Sequence, residues 1–212
     1  MNGQAATQDR YNAAQDLIEP NLAAHPQKTA YIDAQGSYSY AELAARVNRC
    51  AHALTQLGLA MEARVLVCLL DTIDFPSVFL GAIKAGLVPI AVNTLLTSSD
   101  FDFMLRDSRA QGLIVSEALL PAFEPILGNQ PFLKHVVVSG EKGAGHSRLA
   151  DLTATAGNEF TAAPTRADDA CFWLYSSGST GTPKGVVHVQ TSMRRTAELY
   201  ARPILGIQET DV

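Results

Sequence analysis

Four short apolar runs constrain this chain more than any other feature: Arg64 to Leu70, Leu87 to Val92, Leu113 to Ser116 and His135 to Ser139. A strand with one wet face alternates apolar and polar residues, whereas a near-continuous apolar run marks burial on both faces. Helical segments separate the runs. Ser39 and Glu42 spell a capping box, S-x-x-E, at the start of one. Its Leu43, Val47, Cys50, Leu54 and Leu57 fall on one stripe, and Gly58 suits the left-handed position that closes a helix. Asp74 is predicted to cap the next helix, with Pro76 in its first turn and Gly86 at its end. Ser98 to Arg109 reads as helical, and so does Ala118 to Leu127 despite Pro121 and Pro125. Strands alternating with helices imply an α/β fold with a mainly parallel, helix-covered sheet. Such sheets bind ligands at the carboxyl ends of their strands. Asp71 and Asn93 lie just past two such ends, where capping a loop or helix is the simpler role and lining a site the alternative.

The remainder is less regular. Residues 1–11 read as a disordered lead, and residues 12–212 as the folded body. Asn12 to Glu19 is predicted helical, with Pro20 ending it. Thr29 to Asp33, a Gln35-Gly36 turn and Ser37-Tyr38 make a hairpin. Gly140, Gly143 and Gly145 follow a strand, but their order is G-x-x-G-x-G, which is not the dinucleotide fingerprint. Glu141 to Asp169 reads as a surface linker with a helical turn around Leu149 to Thr155. Thr191 or Ser192 is expected to cap a last helix to about Ala201, and Gly206 to Val212 begins a new segment.

Composition excludes several classes. The chain has 212 residues, 47% hydrophobic and 17% charged, enough for a sizeable core. A net charge of −5 gives no electrostatic footprint for nucleic acid. No apolar run is long enough to span a bilayer, and Met1 to Arg10 lacks the apolar stretch of a secretion signal. Cys50, Cys68 and Cys171 sit far apart in apolar segments, which suits buried thiols in a reducing cytoplasm. The histidines are scattered, with no spacing for a metal site.

The chemistry concentrates in Leu174 to Gly185. An apolar run, Cys171 to Tyr175, leads in, and Val186 to Val189, apolar but for His188, leads out. Between them stand Ser176, Ser177, Gly178, Ser179, Thr180, Gly181, Thr182, Pro183, Lys184 and Gly185. Glycines let backbone turn sharply and approach a ligand closely. Successive backbone N–H groups and hydroxyls can surround phosphate oxygens, and a lysine adds a point charge. A plain Gly/Ser surface turn is the competing reading, but it needs neither so many hydroxyls nor a lysine between Pro183 and Gly185. The common phosphate loop, G-x-x-x-x-G-K-(S/T), is not matched, because Lys184 has the wrong neighbours. His188 reads as a core histidine in preference to a partner of the loop.

Ser176 to Gly185 does match, at every position, the pattern (S/T)-S-G-(S/T)-T-G-x-P-K-G of adenylate-forming enzymes. The chain thus resembles that superfamily of acyl- and aryl-CoA synthetases. Asn12 to Ile18, Lys28 to Asp33, Val65 to Ile83, Pro89 to Thr97 and Phe172 to His188, with the aromatic Trp173, resemble its benzoate–CoA ligase branch. The resemblance implies the N-terminal portion of the large domain of such an enzyme. It also implies a loop, Ser176 to Gly185, that holds the β- and γ-phosphates of ATP, with Lys184 as its catalytic charge. Magnesium and coenzyme A are the implied further cofactors, and an aromatic carboxylic acid the implied substrate. Benzoate would displace pyrophosphate to give benzoyl-adenylate, and the coenzyme A thiol would then displace AMP. The family's adenine, ribose and lid-domain segments do not occur before Val212, so the chain reads as an incomplete piece expected to be inactive alone. A fatty acyl-CoA ligase and a non-catalytic nucleotide-binding or interaction module of the same fold are the alternatives.

Overall fold

In the computed structural model, which describes residues 10–176 and 183–211, the predicted alternation of strands and helices is present. Helix α1 (Ala13–Ala24) is followed by the antiparallel hairpin β1 (Thr29–Asp33) and β2 (Gly36–Ser39). Next come α2 (Tyr40–Gln56), β3 (Arg64–Cys68), α3 (Asp74–Lys84), β4 (Val88–Ala91), α4 (Ser98–Ser108) and β5 (Gly112–Ser116). A 3-10 turn (Glu117–Ala122) leads into the short α5 (Glu124–Leu127), then β6 (His135–Ser139), β7 (Ser147–Arg148) and α6 (Leu149–Ala154). The last elements are β8 (Ala170–Ser176), β9 (Lys184–Val189), α7 (Ser192–Thr196) and a π-helical turn (Ala197–Ala201).

Seven strands form one sheet in the order β7-β6-β5-β3-β4-β8-β9. All neighbours are parallel except β8 and β9. The apolar runs are strands covered on both sides. Val65 and Val67 of β3 pack toward α2 and α3, while Leu66 and Cys68 pack toward α4, and all four have no exposed surface. Burying side chains of this size contributes roughly 1.5–3 kcal/mol each. The capping box at Ser39 and Glu42 forms as expected, and Gly58 and Gly86 take φ of +73° and +75° just past their helices. Helices α2 and α3 meet at Gly81, where an added Cβ would lie 2.7 Å from the Cβ of Cys50.

Several expectations need correction. Residues 1–9 of the expected lead lie outside the described residues; its last two, Arg10 and Tyr11, are held by an antiparallel backbone bridge of Arg10 with Arg166 and by the Tyr11 N–H donating to the carbonyl of Thr165. Pro20 does not end α1; it lies exposed inside the helix, which runs on to Ala24. Asp74 is not a cap. It sits in the first turn of α3, and the N–H of Ile73 donates instead to Asp33 Oδ2 at 2.9 Å, from the distant hairpin. The two prolines divide 117–127 into the 3-10 turn and α5. Strand β7 was not foreseen. Neither Thr191 nor Ser192 caps α7 with a side-chain bond; Ser192 Oγ accepts from the N–H of Val189.

Candidate functional site

Strands β8 and β9 form a hairpin whose register pairs Ser176 with Lys184, Tyr175 with Gly185 and Phe172 with His188. The mouth of the hairpin, at Ser176 and Lys184, therefore lies at the carboxyl end of β8. Strand β8 runs parallel to β4, pairing Ile90 with Trp173, so the ends of β3, β4 and β5 lie on the same edge. That is where a parallel sheet presents ligands.

Of the residues expected at the site, Ser176, Lys184 and Gly185 come together at the base of the hairpin. Ser177, Gly178, Ser179, Thr180, Gly181 and Thr182 lie outside the described residues. Lys184 is exposed, and its ammonium has no hydrogen bond or ion pair among the described residues. At Gly185 an added Cβ would approach the Trp173 ring to 3.1 Å and the Tyr175 ring to 3.4 Å. The glycine thus lets β9 lie close against an aromatic shelf.

That shelf is held from several sides. Tyr175 Oη donates to Asp107 Oδ2 of α4 at 2.7 Å, and its ring meets Phe103 edge-on. Burial, and then the bond to Asp107, push the phenol well above its usual pKa. The guanidinium of Arg64 lies 5.9 Å from the centroid of Trp173, within cation–π reach. Sequence reading missed Asp107, because nothing in the helical pattern of α4 shows that it meets a tyrosine 68 positions away. His188 stacks on Phe172 with ring centroids 4.5 Å apart. Four residues along a strand separate it from Lys184, about 13 Å, which sets it away from the loop. Asn93 Oδ1 accepts from the N–H of Leu95 at 2.9 Å and so closes its own turn, the simpler of its two expected roles. Among the described residues no group of three or more His, Cys, Asp or Glu could hold a metal ion.

The carboxyl edge of a mainly parallel sheet thus carries a lysine at the mouth of its last hairpin. A family model described as AMP-binding enzyme matches residues 18–212, and the chain belongs to that family. It is 63% identical over 206 residues to the benzoate–CoA ligase of Thauera aromatica, covering 96% of this chain and 39% of that protein. The crystal structure of a benzoate CoA ligase from Burkholderia xenovorans LB400 superposes with a TM-score of 0.85 at 42% identity, over 95% of this chain and 39% of that one. The anthranilate CoA ligase AuaEII, solved in complex with anthranoyl-AMP, gives a TM-score of 0.91 at 33% identity over the same shares. The chain thus spans about two fifths of the length of the relatives it matches.

Proposed function

We propose that this chain carries the phosphate-holding part of an aromatic acid–CoA ligase, with benzoate as the acid. The overall reaction is ATP, benzoate and coenzyme A giving benzoyl-CoA, AMP and diphosphate, by way of benzoyl-adenylate. The observation that carries the acid class is the 63% identity to a benzoate–CoA ligase across nearly the whole chain. The anthranoyl-AMP bound to a related enzyme supports an acyl-adenylate as intermediate.

In this reading the hairpin mouth fits a polyphosphate. Lys184 brings a charge that no described side chain neutralises. Gly185 and the glycines and hydroxyls of 177–182 allow backbone and side-chain donors to reach phosphate oxygens. As pyrophosphate leaves, negative charge grows on those oxygens, and Lys184 stabilises it where it develops. Tyr175, fixed to Asp107, holds β8 so that the base of the loop does not shift. Magnesium bound to the phosphates would supply further charge neutralisation. It needs only one or two carboxylates beside water and phosphate ligands, so the want of a protein cage among the described residues does not conflict with it. With its cysteines buried as free thiols, the protein suits a reducing cytoplasm.

The test is competition. A ligase carrying this sequence is offered benzoate and palmitate together, and the coenzyme A thioesters are quantified. Benzoyl-CoA should dominate, because a pocket shaped for a flat ring penalises a long alkyl chain. Palmitoyl-CoA in excess would move the protein to the fatty acyl class.

A further inference from the structure

A second cleft opens on the same edge of the sheet, two strands away from the hairpin. Strands β3 and β5 are neighbours, yet the chain leaves them toward opposite faces. From β3 it passes to α3, which packs with α2, and from β5 to the 3-10 turn, which packs with α4. Such a divergence is a topological switch point, and open α/β sheets bind ligands in the crevice it creates. Here the crevice is a cleft of about 710 Å³, a volume within the range of small-molecule sites. Its floor is made by Leu70, Ser116 and Ser139, at the ends of β3, β5 and β6. One wall is α2, with Arg46 and Arg49, and the other is α6.

The charges of the cleft are unevenly committed. Asp74 accepts from Ser139 Oγ at 2.6 Å and faces Arg46 at 4.0 Å. Arg46 also lies over the Tyr38 ring. Glu117 accepts from the backbone N–H of Lys142 at 2.9 Å, and Glu141 stands exposed at the mouth, where solvent screens it. Arg49 is half-buried, and its guanidinium has no hydrogen bond or ion pair among the described residues. A guanidinium drawn partly out of water without an anion is costly, and an incoming anion relieves that cost. On the floor of the same cleft, Ser116 Oγ accepts the N–H of Leu70, which leaves its own hydroxyl proton available. Leu70, Ala118 and Ala150 add apolar surface to the lining, against which a ring can lie.

We propose that this cleft is a second ligand site, for a small ring-bearing organic anion whose carboxylate or phosphate sits against Arg49. It is separate from the hairpin, and nothing in the proposed ligase chemistry requires it. The experiment is a titration of the 15N-labelled chain, followed by NMR, with three probes at millimolar concentration: benzoate, AMP and inorganic phosphate. The amides of Leu70, Ser116, Ser139 and Gly140 should shift with benzoate or AMP. Benzoate identifies a carboxylate ligand and AMP a phosphate one. In Arg49→Met the affinity should fall about tenfold or more, as for loss of a charge-assisted bond. In Lys184→Ala the same shifts should persist, which separates them from any binding at the hairpin. A thermal melt of Arg49→Met matching the parent excludes a folding defect. No shift at these amides with any of the probes, shifts with inorganic phosphate alone, or shifts unchanged in Arg49→Met would each overturn the proposal.

Discussion

At the scale of single residues, burial decides which groups are reactive. The thiols of Cys50, Cys68 and Cys171 are buried, and desolvation pushes each up to about 12. A thiol reacts as its thiolate, so all three should be inert to a disulfide reagent at neutral pH in the folded chain. Labelling should become complete only in denaturant, and mass spectrometry of the two samples checks this. Rapid modification of the native protein would mean that the segments carrying them open readily. The cysteines were legible in the sequence from their apolar surroundings. The bond from Tyr175 to Asp107 was not, since contact between β8 and α4 is a property of the fold and not of either segment. Arg49 was equally invisible, because a helical arginine beside an apolar stripe reads as solvated until the opposing strand ends are placed.

At the scale of elements, local signals were reliable where the partner was local. The capping box at Ser39 needs only residues three apart, and it forms. The start of α3 depends on Asp33, which lies 40 positions from Ile73, and there the local rule named Asp74 wrongly. Pro20 misled for a related reason: its cost depends on whether the freed carbonyl meets water, and that requires knowing which side of α1 is exposed. Strand β7 has two residues, too few to leave a pattern. The contact of α2 with α3 carries a sharper expectation. Because a Cβ at Gly81 would lie 2.7 Å from Cys50 Cβ and 3.0 Å from the carbonyl of Val47, the helices must separate to admit a side chain. Gly81→Val should therefore destabilise the fold by about 1–3 kcal/mol or more through overpacking. The midpoint of urea unfolding measures it, and an unchanged midpoint would show that the helices can slide apart freely.

At the scale of the whole molecule, the fold class and the sheet edge that carries the candidate site follow from the apolar runs and capped helices, and the β8–β9 hairpin from the two apolar runs that flank Ser176 to Gly185. The order of the strands, and with it the cleft between β3 and β5, required the structure. Stability should also follow pH in a defined direction. Bonds from Ser39, Thr97, Arg106 and Arg148 hold Glu42, Asp100, Asp102 and Asp151 below the usual carboxylate range. A carboxylate depressed in the folded state stabilises it above the unfolded pKa, near 4, and that contribution is lost as pH falls through the depressed values. The urea midpoint should accordingly be flat near neutrality and decline below about pH 4. A midpoint that rises on acidification would contradict these bonds. The central claim, that the β8–β9 hairpin serves aromatic-acid adenylation through Lys184, is tested most directly by benzoate-dependent exchange of labelled pyrophosphate into ATP. The measurement compares a ligase carrying this sequence with its Lys184→Ala variant. Exchange should fall by about 10²–10³, the usual loss when one such charge-stabilising contact is removed, while benzoate binding changes little. Equal exchange in the two proteins would contradict the claim.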